Sequence, residues 1–213
     1  MENNIKNFVI QSLGIKDFFL SKIEKGGNNS IFRINYNNKI EYILKIYFNN
    51  RNRIIHDTSF TSYLWNIGIR NIPKLIKYDK SLNLGIFKHI EGYSYDIKNI
   101  NKLSILDAAS FIQQINHNKL EALKYDIPYA AESSFSFDQH IKIITERVNI
   151  INNINDYQNS FINKDLILLK KEINFLWNEI SKKITKIANE KNIYNFILPK
   201  EEKILSPSDF GFH

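Results

Sequence analysis

Between residues 17 and 92 the chain alternates apolar with polar positions in short runs, which is the pattern of an antiparallel β-sheet. Asp17 to Lys25 is rich in apolar residues, and Ser30 to Tyr36 alternates between the two faces at every residue. Glycine and asparagine residues separate these two runs, so we predict a hairpin. Asn37-Asn38 then turns the chain into a third predicted strand, Ile40 to Phe48.

A helix and two further strands complete this region. Arg53 to Ile67 carries apolar residues three and four positions apart, which is the spacing of one helix face. These residues are Phe60, Tyr63, Leu64 and Ile67. Leu75 to Asp79 and Leu84 to Ile90 are apolar runs bounded by turn-forming residues. We therefore predict a five-stranded antiparallel sheet with one helix, which forms a first domain over residues 1–92.

Residues 93–213 carry a helical period instead. The stretches with this period are Lys102 to His117, Phe137 to Asn152 and about Phe161 to Glu190. The last stretch has apolar residues at near-heptad spacing, which is typical of a packing seam. These residues are Leu166, Leu169, Ile173, Leu176, Ile180, Ile184 and Ile187. The sequence thus predicts an α+β chain whose second domain, residues 93–213, is mainly helical.

Composition limits the classes of protein to which the chain can belong. The 213 residues are 43% hydrophobic, which is enough for a sizeable core. The absence of cysteine excludes disulfides and suits a reducing cytoplasm. No apolar run approaches the 20 or so residues of a membrane span. We expect a cytoplasmic protein without a membrane partner, and the sequence indicates no oligomeric state.

The formal net charge of +7 raises the question of a nucleic-acid partner. Of the 29 basic residues, 24 are lysines spread along a chain that also contains 29 asparagines. This distribution is a broad compositional bias, and the sequence has no nucleic-acid recognition motif. A basic cleft also suits ATP. We expect no specific nucleic-acid partner.

The most specific motif is the C-terminal string Ser206-Pro207-Ser208-Asp209-Phe210-Gly211-Phe212-His213. Phosphoryl transfer of the kinase type needs a carboxylate that accepts the proton of the acceptor hydroxyl, and Asp209 fits this role. The string closely resembles the catalytic loop in a branch of the aminoglycoside phosphotransferase family of small-molecule kinases, which includes choline kinase-like enzymes. Its residues are also ordinary turn formers, so a structural turn is the alternative interpretation.

Asp209-Phe210-Gly211 also matches the magnesium-binding triplet of protein kinases. We reject that assignment because no His-Arg-Asp catalytic loop precedes it. In the resemblance that we favour, an amide metal ligand follows Asp209 by five residues, which is position 214. We therefore expect the 213-residue chain to be an inactive fragment whose metal ligands lie beyond His213.

The same resemblance implies a protein-kinase-like fold with a nucleotide-binding lobe upstream. Gly26 and Gly27 would let the backbone approach the nucleotide phosphates closely, with Asn29 and Ser30 beside them. Lys45, on the third predicted strand, would pair with the phosphates. The alternatives are an ordinary hairpin turn for the glycines and a solvated position for the lysine.

Further site residues follow from the resemblance. Asp57 is the candidate partner of Lys45 from the predicted helix, although the family usually has glutamate at that place. Backbone groups of Lys88, His89 and Ile90, before Glu91-Gly92, would bind the adenine ring. The implied function is an ATP- and Mg²⁺-dependent kinase whose acceptor is a hydroxyl of a small molecule, such as an amino sugar, a sugar or an amino alcohol.

A different class of function remains open on the sequence alone. A non-catalytic protein that keeps the kinase-like lobe for binding, or a basic module that binds nucleic acid, would have the same N-terminal pattern. The residues that follow Asp209 in the gene would discriminate between this class and the kinase.

Overall fold

The computed structural model describes residues 2–23, 29–48, 52–92, 97–130, 133–154 and 160–207, which contain five strands and five α-helices. The chain divides into two units. The first consists of Met1–Ala131 with Ile204–His213, and the second of Glu132–Lys203. The boundary at residue 92 between a nucleotide-binding lobe and a helical lobe stays a prediction.

The first unit is built on an antiparallel sheet in the order β1-β2-β3-β5-β4. Its strands are β1 (Phe19–Ile23), β2 (Asn29–Tyr36), β3 (Lys39–Tyr47), β4 (Leu75–Asp79) and β5 (Leu84–Lys88). The predicted five-stranded antiparallel sheet is confirmed. Asn37 and Asn38 join β2 to β3 with positive φ angles of 49° and 58°, the geometry that a tight hairpin turn favours.

Strand β5 ends two residues before its predicted end at Ile90. Its last pair with β3 is Lys88 with Tyr42. The next residue of β3, Glu41, is the extra residue at the register shift between β2 and β3. The His89 N–H still donates to the Glu41 carbonyl at 2.7 Å, and regular pairing of β5 with β3 ends there.

One face of the sheet is covered by helix α1 (Glu2–Leu13), an element that the sequence analysis did not predict. Phe8 and Val9 of this helix are buried together with strand residues. Those strand residues are Ile34, Leu44, Leu84 and Ile86. Because side chains alternate along a strand, the residues between them face the other side of the sheet.

A second apolar cluster joins α2 (Arg53–Asn66) to α3 (Lys102–Asn116). Tyr63, Leu64 and Ile115 are its most deeply buried members. Helix α3 is capped by Asn101, whose side chain accepts hydrogen bonds from two backbone N–H groups of the first turn. Three short 3₁₀ turns lie outside the α-helices, at Ile97–Asn99, Glu121–Lys124 and Lys200–Glu202.

The second unit contains α4 (Phe137–Asn152) and the 31-residue α5 (Ser160–Glu190). Polar pairs connect the two helices. The amides of Asn152 and Asn174 exchange hydrogen bonds of 2.8 and 2.7 Å, and the indole of Trp177 donates to Thr145 Oγ1 at 3.1 Å. The seam between these helices is therefore partly polar.

Helix α5 buries only part of the apolar stripe that the sequence predicts as a packing seam. Leu166, Ile173 and Ile184 are partly buried. Leu169, Leu176, Ile180 and Ile187 are exposed. No helix within the described ranges combines the length and apolar character that crossing a membrane requires.

Candidate nucleotide-binding site

Lys45 of β3 and Asp57 of α2 form an ion pair in the first unit. The ammonium of Lys45 donates to the Oδ2 atom of Asp57. The two side chains are 25% and 30% exposed, so the pair is partly shielded and remains accessible to a ligand. The predicted pairing is confirmed, while the roles of these residues in nucleotide binding stay predictions.

The pair forms because the side-chain spacing of β3 and that of α2 bring Lys45 and Asp57 to the same place. On β3, Ile43, Lys45 and Tyr47 alternate with the residues that pack against α1, so they occupy the face opposite α1. On α2, Asp57 precedes Thr61 by one helical turn, and both line the same pocket. The helix thus presents a carboxylate to the strand that carries the lysine.

Tyr47 holds the same carboxylate, and the sequence analysis missed it. Its hydroxyl donates to Asp57 Oδ2 at 2.6 Å. The residue is 4% exposed. Burial, and then the negative charge of Asp57, raise the pKa of the Tyr47 phenol above its usual value, so the phenol stays a hydrogen-bond donor. The sequence signal was a tyrosine two residues after the lysine, on the same face.

Two aromatic rings flank the Lys45 ammonium. Its Nζ lies 5.1 Å from the centre of the Tyr47 ring and 5.9 Å from that of Phe87. Both distances are within the range of cation–π attraction. Gly85 leaves room for the rings, because a Cβ there would lie 3.0 Å from Phe87 Cε2 and 3.3 Å from Tyr47 Cε2.

The ion pair lines a pocket of about 460 Å³, which is within the usual size range of small-molecule sites. The lining residues come from β1, β2, β3 and β5, from α2, from the loop before β4 and from the segment after β5. They are Ile23, Ile31, Arg33, Ile43, Lys45, Asp57, Thr61, Pro73, Phe87, Lys88, His89 and Ile90. The wall is mainly apolar. Arg33, which was not selected from the sequence, adds a cationic side chain on the same face of the sheet as Lys45.

Lys88 to Ile90, where β5 ends, form one edge of the pocket, and two of their three N–H groups already donate to backbone carbonyls. The N–H of Lys88 donates to the Lys74 carbonyl at 2.8 Å, and that of His89 donates to the Glu41 carbonyl at 2.7 Å. Within the part of the chain that is described, the N–H of Ile90 has no such partner. It is therefore the donor of this segment that a ligand can engage.

The predicted phosphate-binding turn is described only at its end. Gly26 and Gly27 lie outside the described residues. Asn29 pairs with Tyr47, and its Oδ1 atom is buried without a hydrogen-bond partner among the residues described. A ligand donor is one way to satisfy such an atom. Ser30 pairs with Ile46, whose side chain packs toward α1, so its side chain is on the opposite face from Lys45.

Asp209 also lies outside the described residues, but the segment that leads to it is anchored. The side chain of Asn116, at the end of α3, accepts from the Leu205 N–H at 2.8 Å and donates to the Leu205 carbonyl at 3.0 Å. One amide thus satisfies both backbone groups of Leu205, as a neighbouring strand would. Asn116 has no signal in the local sequence, because its partner is 89 residues away.

A magnesium site is not formed by the described residues. They contain no group of three or more His, Cys, Asp or Glu side chains that could hold a metal ion together. Asp57 already accepts hydrogen bonds from Lys45 and Tyr47.

Comparisons with known proteins gave matches among solved structures. No protein-family model matches the chain, and no curated protein matches it in sequence. A complex of APH(2")-IIa with streptomycin and ATP has a TM-score of 0.55 at 13% identity, over 92% of this chain and 61% of that chain. A gentamicin complex of APH(2")-IIa has a TM-score of 0.58 at 13% identity, over 84% and 57%.

A choline kinase from Cryptosporidium parvum matches with a TM-score of 0.49 at 18% identity, over 79% of this chain and 50% of that chain. The chain spans about three fifths of the length of the APH(2")-IIa structures. At 13% identity the likeness to them concerns the fold. The chain has the protein-kinase-like fold of the APH(2")-IIa structures.

Proposed function

We propose that the chain is an ATP-dependent phosphotransferase acting on a hydroxyl of a small molecule, such as an amino sugar, a sugar or an amino alcohol. The ion pair of Lys45 with Asp57 inside a mainly apolar pocket carries the proposal. A lysine held by a helix carboxylate is the group that protein kinases use to bind nucleotide phosphates. The similar APH(2")-IIa structure contains ATP, which supports the same ligand here.

The pocket residues divide between the two ends of a nucleotide. ATP supplies the phosphoryl group. Lys45 binds the phosphates through its ammonium. Asp57 contacts that ammonium from one side and leaves the other side for the phosphates. At the other end, the Ile90 N–H provides a donor for the edge of a purine ring. Ile31, Ile43 and Phe87 give that ring an apolar environment.

Asp209 has the role of the catalytic base in this proposal. Its carboxylate orients the acceptor hydroxyl and takes its proton as the phosphoryl group is transferred. Asn116 supports this role indirectly, because it fixes the backbone at Leu205, four residues upstream. A magnesium ion supplies charge neutralisation when it is bound, and we assign no step to it among the described residues.

The proposal places the reaction in the cytoplasm, where ATP and magnesium are abundant. A chain without cysteine is compatible with that compartment. We propose no specific nucleic-acid partner and no membrane partner.

The test is transfer of phosphate from ATP to a panel of amino sugars, sugars and amino alcohols. We would assay the 213-residue chain and any longer product of its gene, each beside its Asp209→Asn variant. We expect transfer by the form that contains the metal ligands, and loss of that transfer in Asp209→Asn. Transfer that survives the substitution would contradict the role of Asp209, and no transfer by any form would contradict the enzyme.

A further inference from the structure

We propose that Tyr47 is a positioning residue for Lys45, and that it enables an aspartate to do what a longer glutamate does in the related kinases. The inference deepens the proposed function and rests on it for its catalytic meaning. It concerns a hydroxyl that touches neither the pocket's ligand nor the reacting atoms in our assignment. Tyr47 holds Asp57 in place, and Asp57 in turn positions Lys45.

The contacts of Asp57 show why a second donor is needed. Among the described residues, Oδ2 accepts from both Lys45 and Tyr47, whereas Oδ1 has only a 3.5 Å contact with the Thr61 hydroxyl. The carboxylate is therefore oriented from one side, by the two β3 side chains. Without the phenol, the remaining strong contact would be the one to a flexible lysine, and the 30% exposed carboxylate could turn toward water.

Tyr47 is well suited to hold a carboxylate still. The residue is almost fully buried and its ring lies against Gly85 of β5, so the hydroxyl has little freedom to leave Asp57. A phenol also donates one hydrogen bond without adding charge, so it does not compete with Lys45 for phosphate. Because the carboxylate is fixed before binding, less conformational entropy is lost when a nucleotide binds.

Gly85 is part of the same arrangement. It pairs directly with Lys45 across the sheet, and its φ angle is not in the left-handed region. The requirement for glycine is therefore one of space. A Cβ there would press on the Tyr47 and Phe87 rings. We infer that Gly85 admits the ring that carries the positioning hydroxyl.

The first experiment needs no nucleotide. We would measure, by mass spectrometry, the rate at which an amine-reactive reagent labels Lys45 in the wild type, in Tyr47→Phe and in Tyr42→Phe. Tyr42 is on the same strand but packs toward α1, so its variant is a matched control. We expect labelling about three- to tenfold faster in Tyr47→Phe and unchanged in Tyr42→Phe, because loss of one hydrogen bond of about 1 kcal/mol corresponds to a change of this size. Equal rates in all three proteins would overturn the proposal.

The second experiment tests whether Tyr47 acts through Asp57. We would measure the affinity for magnesium-ATP in Tyr47→Phe, in Asp57→Asn and in the double variant. We expect Tyr47→Phe to weaken binding about tenfold in the wild-type background and hardly at all beside Asp57→Asn. Replacement of Asp57 by Glu should restore part of the loss in Tyr47→Phe, since the longer side chain depends less on the phenol. Additive losses would show that Tyr47 is merely structural.

The two experiments separate the two proposals. If the wild type binds no nucleotide, the proposed function fails, while the labelling rates still decide whether Tyr47 holds the pair.

A third variant, Gly85→Ala, should speed labelling of Lys45 as Tyr47→Phe does. Gly92→Ala is its control, because a Cβ there meets no atom within 4 Å. Unchanged labelling in Gly85→Ala would refute the role of Gly85.

Discussion

The two units of the chain bury their apolar residues to different extents. In the first unit, two apolar clusters lie against the sheet and between α2 and α3. In the second, Val148 and Ala188 are the buried apolar residues among those described, although α5 alone has 31 residues. The candidate site thus belongs to the unit whose fold is determined by its own core, and α4 with α5 have a thin, partly polar seam.

The largest effect that this comparison predicts concerns a leucine in each unit. Leu44 is completely buried in the first unit, whereas Leu176 on α5 is 54% exposed. We expect Leu44→Ala to lower the free energy of unfolding by about 3 kcal/mol, because it removes buried methyl groups and leaves a cavity. Leu176→Ala should change it by about 0.5 kcal/mol or less. Chemical denaturation of both variants measures the two values.

Equal losses at these two positions would contradict the comparison. A large loss at Leu176 would mean that α5 packs its exposed stripe against another surface in solution. Leu169→Ala, on the same stripe, provides a second exposed position for that check.

We expect a smaller effect of pH on the free energy of unfolding, and this effect arises from Tyr47 in the candidate site. Burial and the charge of Asp57 raise the pKa of Tyr47, so the unfolded chain loses the phenol proton first, at about pH 10. The stabilising contribution of Tyr47 is then fully present below pH 10 and is lost as the pH rises. Relative to Tyr47→Phe, the wild type should lose up to about 1.4 kcal/mol of unfolding free energy per pH unit above pH 10.

Denaturation of both proteins between pH 8 and pH 11 measures this difference. A difference between wild type and Tyr47→Phe that is constant over the range would show that the phenol ionises normally. The buried hydrogen bond to Asp57 would then be absent in solution.

The smallest effect on stability is expected at two sites where side-chain amides form reciprocal hydrogen bonds. Asn116 satisfies both backbone groups of Leu205, whereas Asn152 and Asn174 satisfy each other. We expect Asn116→Ala to destabilise the first unit by about 1 kcal/mol, since it leaves backbone groups unpaired. Changing both Asn152 and Asn174 to Leu removes the two polar partners together and should be neutral or stabilising. Thermal unfolding distinguishes these outcomes, and a stabilised Asn116→Ala would contradict the anchoring role.

Local patterns in the sequence predicted the five strands and the helices that follow α1, and the resemblance to small-molecule kinases predicted the central pair of the site. Alternation placed Lys45 on a strand face, and helical spacing placed Asp57 one turn before an apolar stripe. Hairpin asparagines at 37 and 38 marked a turn that the structure contains. These features are encoded within a few residues, so a single sequence reveals them.

The features that escaped prediction depend on contacts between distant segments. Helix α1 is stabilised by burial of Phe8 and Val9 against strands that follow it in the chain. The role of Tyr47 depends on the approach of α2 to β3, and that of Gly85 on the volume of two rings. None of these residue types is unusual for its local element, so their distant contacts cannot be read from the neighbouring residues alone.

The most direct test of the account is a calorimetric titration of magnesium-ATP into the wild type, Lys45→Ala and Lys22→Ala. Lys22 is an exposed lysine of the same sheet that does not line the pocket, so its loss changes the net charge equally. We predict millimolar or tighter binding by the wild type and Lys22→Ala, and a loss of about 1–3 kcal/mol in Lys45→Ala, the scale of a hydrogen bond to a charged group. No binding by the wild type, or equal binding by all three proteins, would contradict the assignment of the pocket.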